Sequence, residues 1–236
     1  MSISERKQRA WQQRTDLILT EADIMLREGG YLGLNLDTLA ERIDYSKATI
    51  YNHFQNKEDL ILGVAVRHCE MRADLFSRTL SFDGSARERM CAVGVADEVL
   101  AKAMPHGFSV MQLARTHSIW EKANPKNHEA YFAATEKCMS APYQILAQAR
   151  ESGDLPEGSP EDVCILFGLI SMAKGSHLLS EGTPLLNDDS GVTPESVRFR
   201  NYCLYLDGVG WNPLSTVFDY DATHDRALEE LFSDFA

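Results

Sequence analysis

Residues 34–59 read LNLDTLAERIDYSKATIYNHFQNKED, the pattern of two short helices joined by a tight turn. Asn35 is a residue type that caps helix N-termini, and Leu36, Leu39, Ala40 and Ile43 recur behind it at helical spacing. Asp44-Tyr45-Ser46 then interrupts the period. Asp tolerates a left-handed or turn backbone, and the Ser46 hydroxyl can accept a bond from an orphan N–H of the next helix. That helix, Lys47 to Phe54, places Ile50 and Phe54 four residues apart on one buried face. Lys47, Ala48, Thr49, Tyr51, Asn52 and His53 are left for the other faces. A helix too short to stand alone that presents Lys, Thr, Tyr, Asn and His suits phosphate and base-edge contacts.

Upstream, Arg6 to Glu28 reads as a helix. Trp11, Ile18, Ala22, Met25 and Leu26 form its apolar stripe, and Gly29-Gly30 is expected to end it. Packed behind the hairpin it completes a three-helix unit. The segment before Thr15 carries Arg6, Lys7, Arg9 and Arg14 against one acid, Glu5, so it is a basic arm able to reach a sugar-phosphate backbone or a minor groove. Downstream, Asn56 is a candidate cap for a long helix from about Lys57 to Leu80. Glu58 and Asp59 suit the positive end of that helix dipole and Lys57 does not, which points to a nearby phosphate. Leu60, Ile61, Val64, Met71 and Leu75 give this helix apolar surface for both the hairpin and the body of the chain.

The motif from Gly30-Tyr31 to Leu60 resembles the DNA-binding region of the TetR family of transcriptional regulators. It matches through Leu39-Ala40, the run S-K-A-T-I-Y-N-H-F and then N-K-E-D-L. Asp44 stands at a turn position where the family usually has Gly, and Ala48 where it often has Gly. The resemblance implies base contacts from Lys47, Ala48 and Asn52. It implies phosphate contacts from Thr38, Ser46, Thr49, Tyr51, His53 and Lys57. It also implies an architecture: an N-terminal DNA-binding domain over residues 1–57, and a helical ligand-binding and dimerisation domain over 58–236.

The rest of the chain agrees with that architecture. From Ser81 onward only helical patterns occur, broken at Asp83-Gly84, Met104-Pro105, Asn124-Pro125, Gly153 to Pro160 and Gly182 to Pro194. No β alternation or hairpin signal appears, so the class is all-α. Asn124-Pro125, Ser159-Pro160 and Thr193-Pro194 each set a capping side chain before a proline at the first helical position. Pro142 is expected to kink or divide the helix it interrupts. Residues 163–179, VCILFGLISMAKGSHLL, are apolar on nearly every side. The uninterrupted apolar run stops at Lys174, too short to span a bilayer, so no membrane partner is expected. A helix apolar all round should be covered all round, here by its own core on one side and a second subunit on the other. Gly168 and Gly175, seven apart, with Met172, are the candidate contacts of a homodimer.

Composition sets the bounds. A 236-residue chain with 44% hydrophobic and 25% charged residues can build a core without staples. The net charge of −12 is unevenly distributed. Residues 1–80 hold 11 Lys/Arg against 12 Asp/Glu, and residues 81–236 hold 12 against 23. The acidity thus belongs to the body, and a near-neutral reader with a basic arm would be oriented by a duplex rather than repelled. Five widely spaced cysteines lack C-x-x-C spacing, so no metal knuckle or disulfide framework is expected, and a reducing cytoplasm suits them. The N-terminus shows no apolar signal-peptide core.

Catalytic patterns are incomplete. His128-Glu129 has Phe132 where a zinc protease needs its second His. Ser171 and Lys174 lack companion motifs, and Gly208-Val209-Gly210 lacks a third glycine. No catalytic set, metal site or cofactor is therefore expected. A ligand cavity between helices is expected instead, apolar with a few polar groups. Its candidates are Met104, His106, Phe108, Met111 and His117, followed by Trp120, Tyr131, Phe132 and Tyr143. The partners so implied are a near-palindromic operator in double-stranded DNA, a small-molecule effector and a second copy of the chain. The competing reading is an all-helical small-molecule-binding protein or enzyme with an incidental hairpin, which predicts no salt-dependent DNA binding.

Overall fold

The computed structural model describes residues 2–181 and 194–235, and among these every regular element is helical. In order they are α1 (Ile3–Gly33), α2 (Leu36–Arg42), α3 (Lys47–His53), α4 (Lys57–Arg78) and α5 (Ala86–Ala103), then α6 (Gly107–Ala114), α7 (His117–Trp120) and α8 (Pro125–Ser152), then α9 (Asp162–Glu181), α10 (Pro194–Gly208) and α11 (Tyr220–Leu231). The expected break at 182–194, with Thr193 as a cap, falls on 182–193, outside the described residues. The chain forms two compact units, Met1–Cys69 with Ser109–Ala134, and Glu70–Phe108 with Thr135–Ala236. Helices α4 and α8 each run from one unit into the other.

In the first unit, Ile18, Ala22, Met25 and Leu26 of α1, Leu36, Leu39 and Ala40 of α2, Ile50 of α3 and Leu60, Ile61 and Val64 of α4 are all buried, with α2 packed on α1 and α3. The glycine break differs from expectation in form. The backbone leaves helical geometry at Gly30, where φ is 58°, and one further turn reaches Gly33. Only a residue without a Cβ adopts that φ without cost. The start of α4 is tied down through Asp59, which is 2% exposed. Its carboxylate accepts from the backbone N–H of Gln55 (3.2 Å) and Asn124 (2.5 Å) and from Asn127 Nδ2 (3.1 Å). Asn56 caps α4 by accepting from the Asp59 N–H at 2.8 Å and donates to the Lys122 carbonyl at 3.0 Å.

The second unit is organised around α5, buried along most of its length. Arg87 on α5 is fully buried. Its guanidinium donates to the carbonyls of Trp211, Pro213 and Cys203 and to Asp207, with the Tyr220 ring 4.5 Å away. One side chain thus satisfies the carbonyls of the α10–α11 connection, the arrangement a buried charge requires. Helix α8 passes through Pro142 undivided. Helix α9 packs on α10 and α5, but its coverage is partial. Ile165, Leu166, Leu169 and Ala173 are buried, whereas Val163, Phe167, Leu178 and Leu179 are exposed. Asp162–Ser180 has mean hydropathy 1.5 and the length of a membrane-crossing helix, longer than the uninterrupted apolar run suggests. Lys174 sits within it, and its apolar residues on one side are core in this unit.

Candidate nucleic-acid interface

The reader is built by three local devices. Asn35 Oδ1 accepts from the N–H groups of Asp37 and Thr38, starting α2. Helix α2 ends at Ile43 with Asp44 at φ 56°. The Tyr45 N–H reaches the Ala40 carbonyl at 2.9 Å and the Asp44 N–H reaches Glu41 at 3.3 Å. This is the paired-bond helix terminator that normally employs glycine at its left-handed residue, so Asp44 occupies a glycine-type position. Ser46 then accepts from the Thr49 N–H at 3.2 Å and starts α3.

With Ile50 and Phe54 buried, α3 turns Lys47, Ala48, Tyr51 and Asn52 to solvent. Lys47 is held by Asp37 at 2.6 Å, and that hydrogen bond raises its pKa. Thr49 is half-buried, with its hydroxyl 2.8 Å from Ser46 Oγ, and Thr38 is exposed on α2. His53 is placed differently from its neighbours. Its ring stacks on Trp11 of α1 at 3.7 Å between centroids, and Nδ1 lies 2.9 Å from Thr15 Oγ1. Burial, reinforced by Arg14, lowers its pKa, so the imidazole is neutral at pH 7. The Lys57 ammonium sits 3.9 Å over the Tyr31 ring, and burial lowers its pKa. Tyr31 in turn donates to Glu58 at 3.1 Å. Sequence reasoning did not foresee the Trp11–His53 stack or the Asp59 clasp. Both join residues far apart in the chain, so no local period betrays them.

The nine ligand-pocket candidates are divided between the two units. Trp120 stacks on His128 at 4.2 Å and meets the edges of Tyr131 and Phe132 in the first unit. Phe132 is 62% exposed. Met111 is buried, with its sulfur 3.7 Å from Cys69 Sγ, and His117 is an exposed partner of Glu121. In the second unit Phe108 stacks on His177 at 3.5 Å, Met104 and His106 are half-buried, and Tyr143 is exposed. A cavity of about 20 Å³ does occur in this unit, but none of the nine lines it. Its walls come from α4 (Arg72, Phe76), α5 (Met90, Val93, Asp97), α8 (Met139, Pro142), α9 and Tyr202 of α10. Inside it Arg72 and Asp97 form a buried bidentate pair, both bonds 2.8 Å, with the Phe76 and Phe108 rings flanking the guanidinium at 4.8 and 5.4 Å. The dimer candidates also separate. Gly168 is occupied within the chain, because a Cβ there would lie 2.1 Å from Tyr205 Oη, which donates to the Ile165 carbonyl at 3.2 Å. Gly175 has open space, and Met172 packs against the core.

Residues 18–64 match the family model described as bacterial regulatory proteins, tetR family. The chain is 24% identical over 182 residues to the HTH-type transcriptional activator FasR of Mycolicibacterium smegmatis, spanning 76% of this chain and 78% of that protein. The fold matches PfmR, a TetR family transcriptional regulator from Thermus thermophilus, with a TM-score of 0.61 at 19% identity, covering 80% and 97% of the two chains. It also matches a transcriptional regulator from Saccharomonospora viridis crystallised with choline, with a TM-score of 0.59 at 19% identity, covering 83% and 96%. With the capped α2–α3 pair and its exposed face, these likenesses show that residues 18–64 are a DNA-binding region of the bacterial tetR regulatory-protein type, and they support reading the chain as a DNA-binding transcriptional regulator.

Proposed function

We propose that the protein acts as a ligand-responsive homodimeric repressor whose two α3 helices read a near-palindromic operator. The observation that carries this reading is the outward face of α3, which offers Lys47, Ala48 and Asn52 while its inner face is core. Asn52 suits adenine through a bidentate pair, and Lys47, released from Asp37, suits guanine acceptors. Thr38, Ser46, Thr49 and Tyr51 surround that face as phosphate partners, with Lys57 at the start of α4 and His53 beside Trp11 completing the set. In this reading residues 1–57 are the DNA-binding domain and 58–236 the regulatory body.

Two features support the regulatory half. The exposed apolar side of α9, Val163, Phe167 and Leu178, is a face that a second copy would cover. The cavity walls on α4 and α8 belong to helices that continue into the first unit, where the Asp59 clasp joins the start of α4 to that of α8. At about 20 Å³ the cavity is far below the roughly 300 Å³ of a small-molecule site. A ligand would have to enlarge it by moving some of its walling helices apart, and a shift of α4 or α8 would give the two arrangements the different affinities that allostery requires. The cavity is apolar apart from the neutralised Arg72–Asp97 pair and Tyr202, favouring an apolar effector with few polar groups.

Selection from random duplexes with the full-length protein tests the reading. The expected product is two inverted half-sites centred about 34 Å apart or a multiple of it. Asn52→Ala should lose discrimination at one base pair of each half-site, by roughly 1–3 kcal/mol. An unchanged base profile would remove Asn52 from the reading set, and recovery of no sequence would contradict specific recognition.

A further inference from the structure

The basic segment at the N-terminus is not an extended arm. It is the first turns of α1, started by a reciprocal cap in which Ser2 Oγ accepts from the Glu5 N–H and Glu5 accepts from the Ser2 N–H. Residues 4–9 are all exposed, so these turns are held by the cap and by propagation from the packed remainder of the 31-residue helix rather than by contacts of their own. An α-helix also cannot enter a minor groove as an arm does. What this helix presents is decided by its period. Lys7, Trp11, Arg14 and Ile18 are spaced i, i+4, i+7 and i+11, one stripe along the helix. Ile18 anchors the stripe in the core and Trp11 seats it on His53, at the C-terminal end of α3. The Arg14 guanidinium lies 6.0 Å over the Trp11 ring. Glu5 and Asp16 fall on the opposite side of the helix, and Asp16 there accepts from Gln12 at 3.0 Å. Between residues 4 and 18, the side of α1 that borders the recognition helix therefore carries cations and no acid, and from Trp11 to Ile3 it extends about 12 Å beyond the contact with His53.

We propose that Lys7 and Arg14 form a second DNA-gripping strip, holding phosphates that flank the base pairs read by α3, with Trp11 and His53 as the joint that fixes its register. The proposal rests on the DNA-binding reading and adds to it an element outside the helix-turn-helix. His53 acts here as a spacer between the two helices, its ring stacked on Trp11 at 3.7 Å, in addition to its proposed place beside the phosphates.

The test is the salt dependence of binding by the full-length protein, measured by fluorescence anisotropy on a duplex of random sequence and on a duplex from the selection above. Neutralising both strip charges in Lys7→Gln/Arg14→Gln should reduce the magnitude of the slope of log K against log salt by about 1.8, since each phosphate contact contributes about 0.9. The loss should be equal on the two duplexes, with base preference and thermal unfolding unchanged. The off-strip double variant Arg6→Gln/Arg9→Gln removes the same charge from the other faces and should move the slope far less. An unchanged slope in the strip variant, or an equal loss in both variants, overturns the strip. Absence of salt-dependent binding by the unaltered protein would overturn the DNA reading together with it.

Discussion

Asp44 shows how much a single residue's chemistry can disclose. Its side chain marks a turn in the sequence, and the backbone takes the left-handed conformation, φ 56°, that ends α2 and aims α3. Short polar residues tolerate that region, whereas β-branched ones are strained in it. Asp44→Val is expected to lower unfolding stability by about 1–2 kcal/mol, read as a lower urea midpoint at constant m. Asp44→Gly should not lower it. A midpoint unmoved by valine would mean the turn relaxes and α3 is not held there. His53 is the opposite case. Its residue type and place in the motif suggest a phosphate partner, and they give no hint that its ring also lies against Trp11, 42 positions earlier in the chain. Local sequence cannot reveal such a pairing, because it depends on where α1 crosses α3.

At the level of elements, caps and periods were legible. Asn35, Ser46 and Asn56 each accept the backbone bond that their position in the sequence implied. Less legible were elements whose extent depends on neighbours: α1 continues past Gly30, and α8 continues through Pro142 because packing on both sides outweighs one lost hydrogen bond. The α5–α11 contact carries a pH dependence. His224 lies 3.1 Å from Glu98 Oε2 on α5 and 3.1 Å from Asp225, with Phe199 edge-on to its ring. The hydrogen bond to Glu98, opposed by burial and aided by Asp225, raises its pKa. A folded pKa above the unfolded value of about 6.5 contributes stability that is complete below that value and lost as pH rises through the folded pKa. Stability of the unaltered protein should fall across that window relative to His224→Gln. Parallel pH profiles of the two proteins would show that the pair is not coupled to folding.

For the whole molecule the decisive feature is the apolar face that α9 leaves uncovered. Phe167 is 71% and Leu178 69% exposed, and burying each would contribute about 1.5–3 kcal/mol. Phe167→Asp/Leu178→Asp is therefore expected to shift sedimentation from dimer to monomer at micromolar concentration, and to lose palindrome binding while keeping weak binding to random duplex. A monomeric unaltered protein would sink the homodimer, and the half-site spacing with it.

The sequence by itself determined the helical class, the capped hairpin, the outward face of α3 and the partition of charge, because each follows from residues within a few positions of one another. The tertiary structure decided which of those residues remain available. It stacked His53 on Trp11, closed Asp59 on Asn124 and Asn127, filled Gly168 with Tyr205, and paired Arg72 with Asp97 in the wall of a small cavity. All of these are contacts between helices distant along the chain. Their physical cause is close packing and the pairing of buried polar groups, and neither is encoded in any local period.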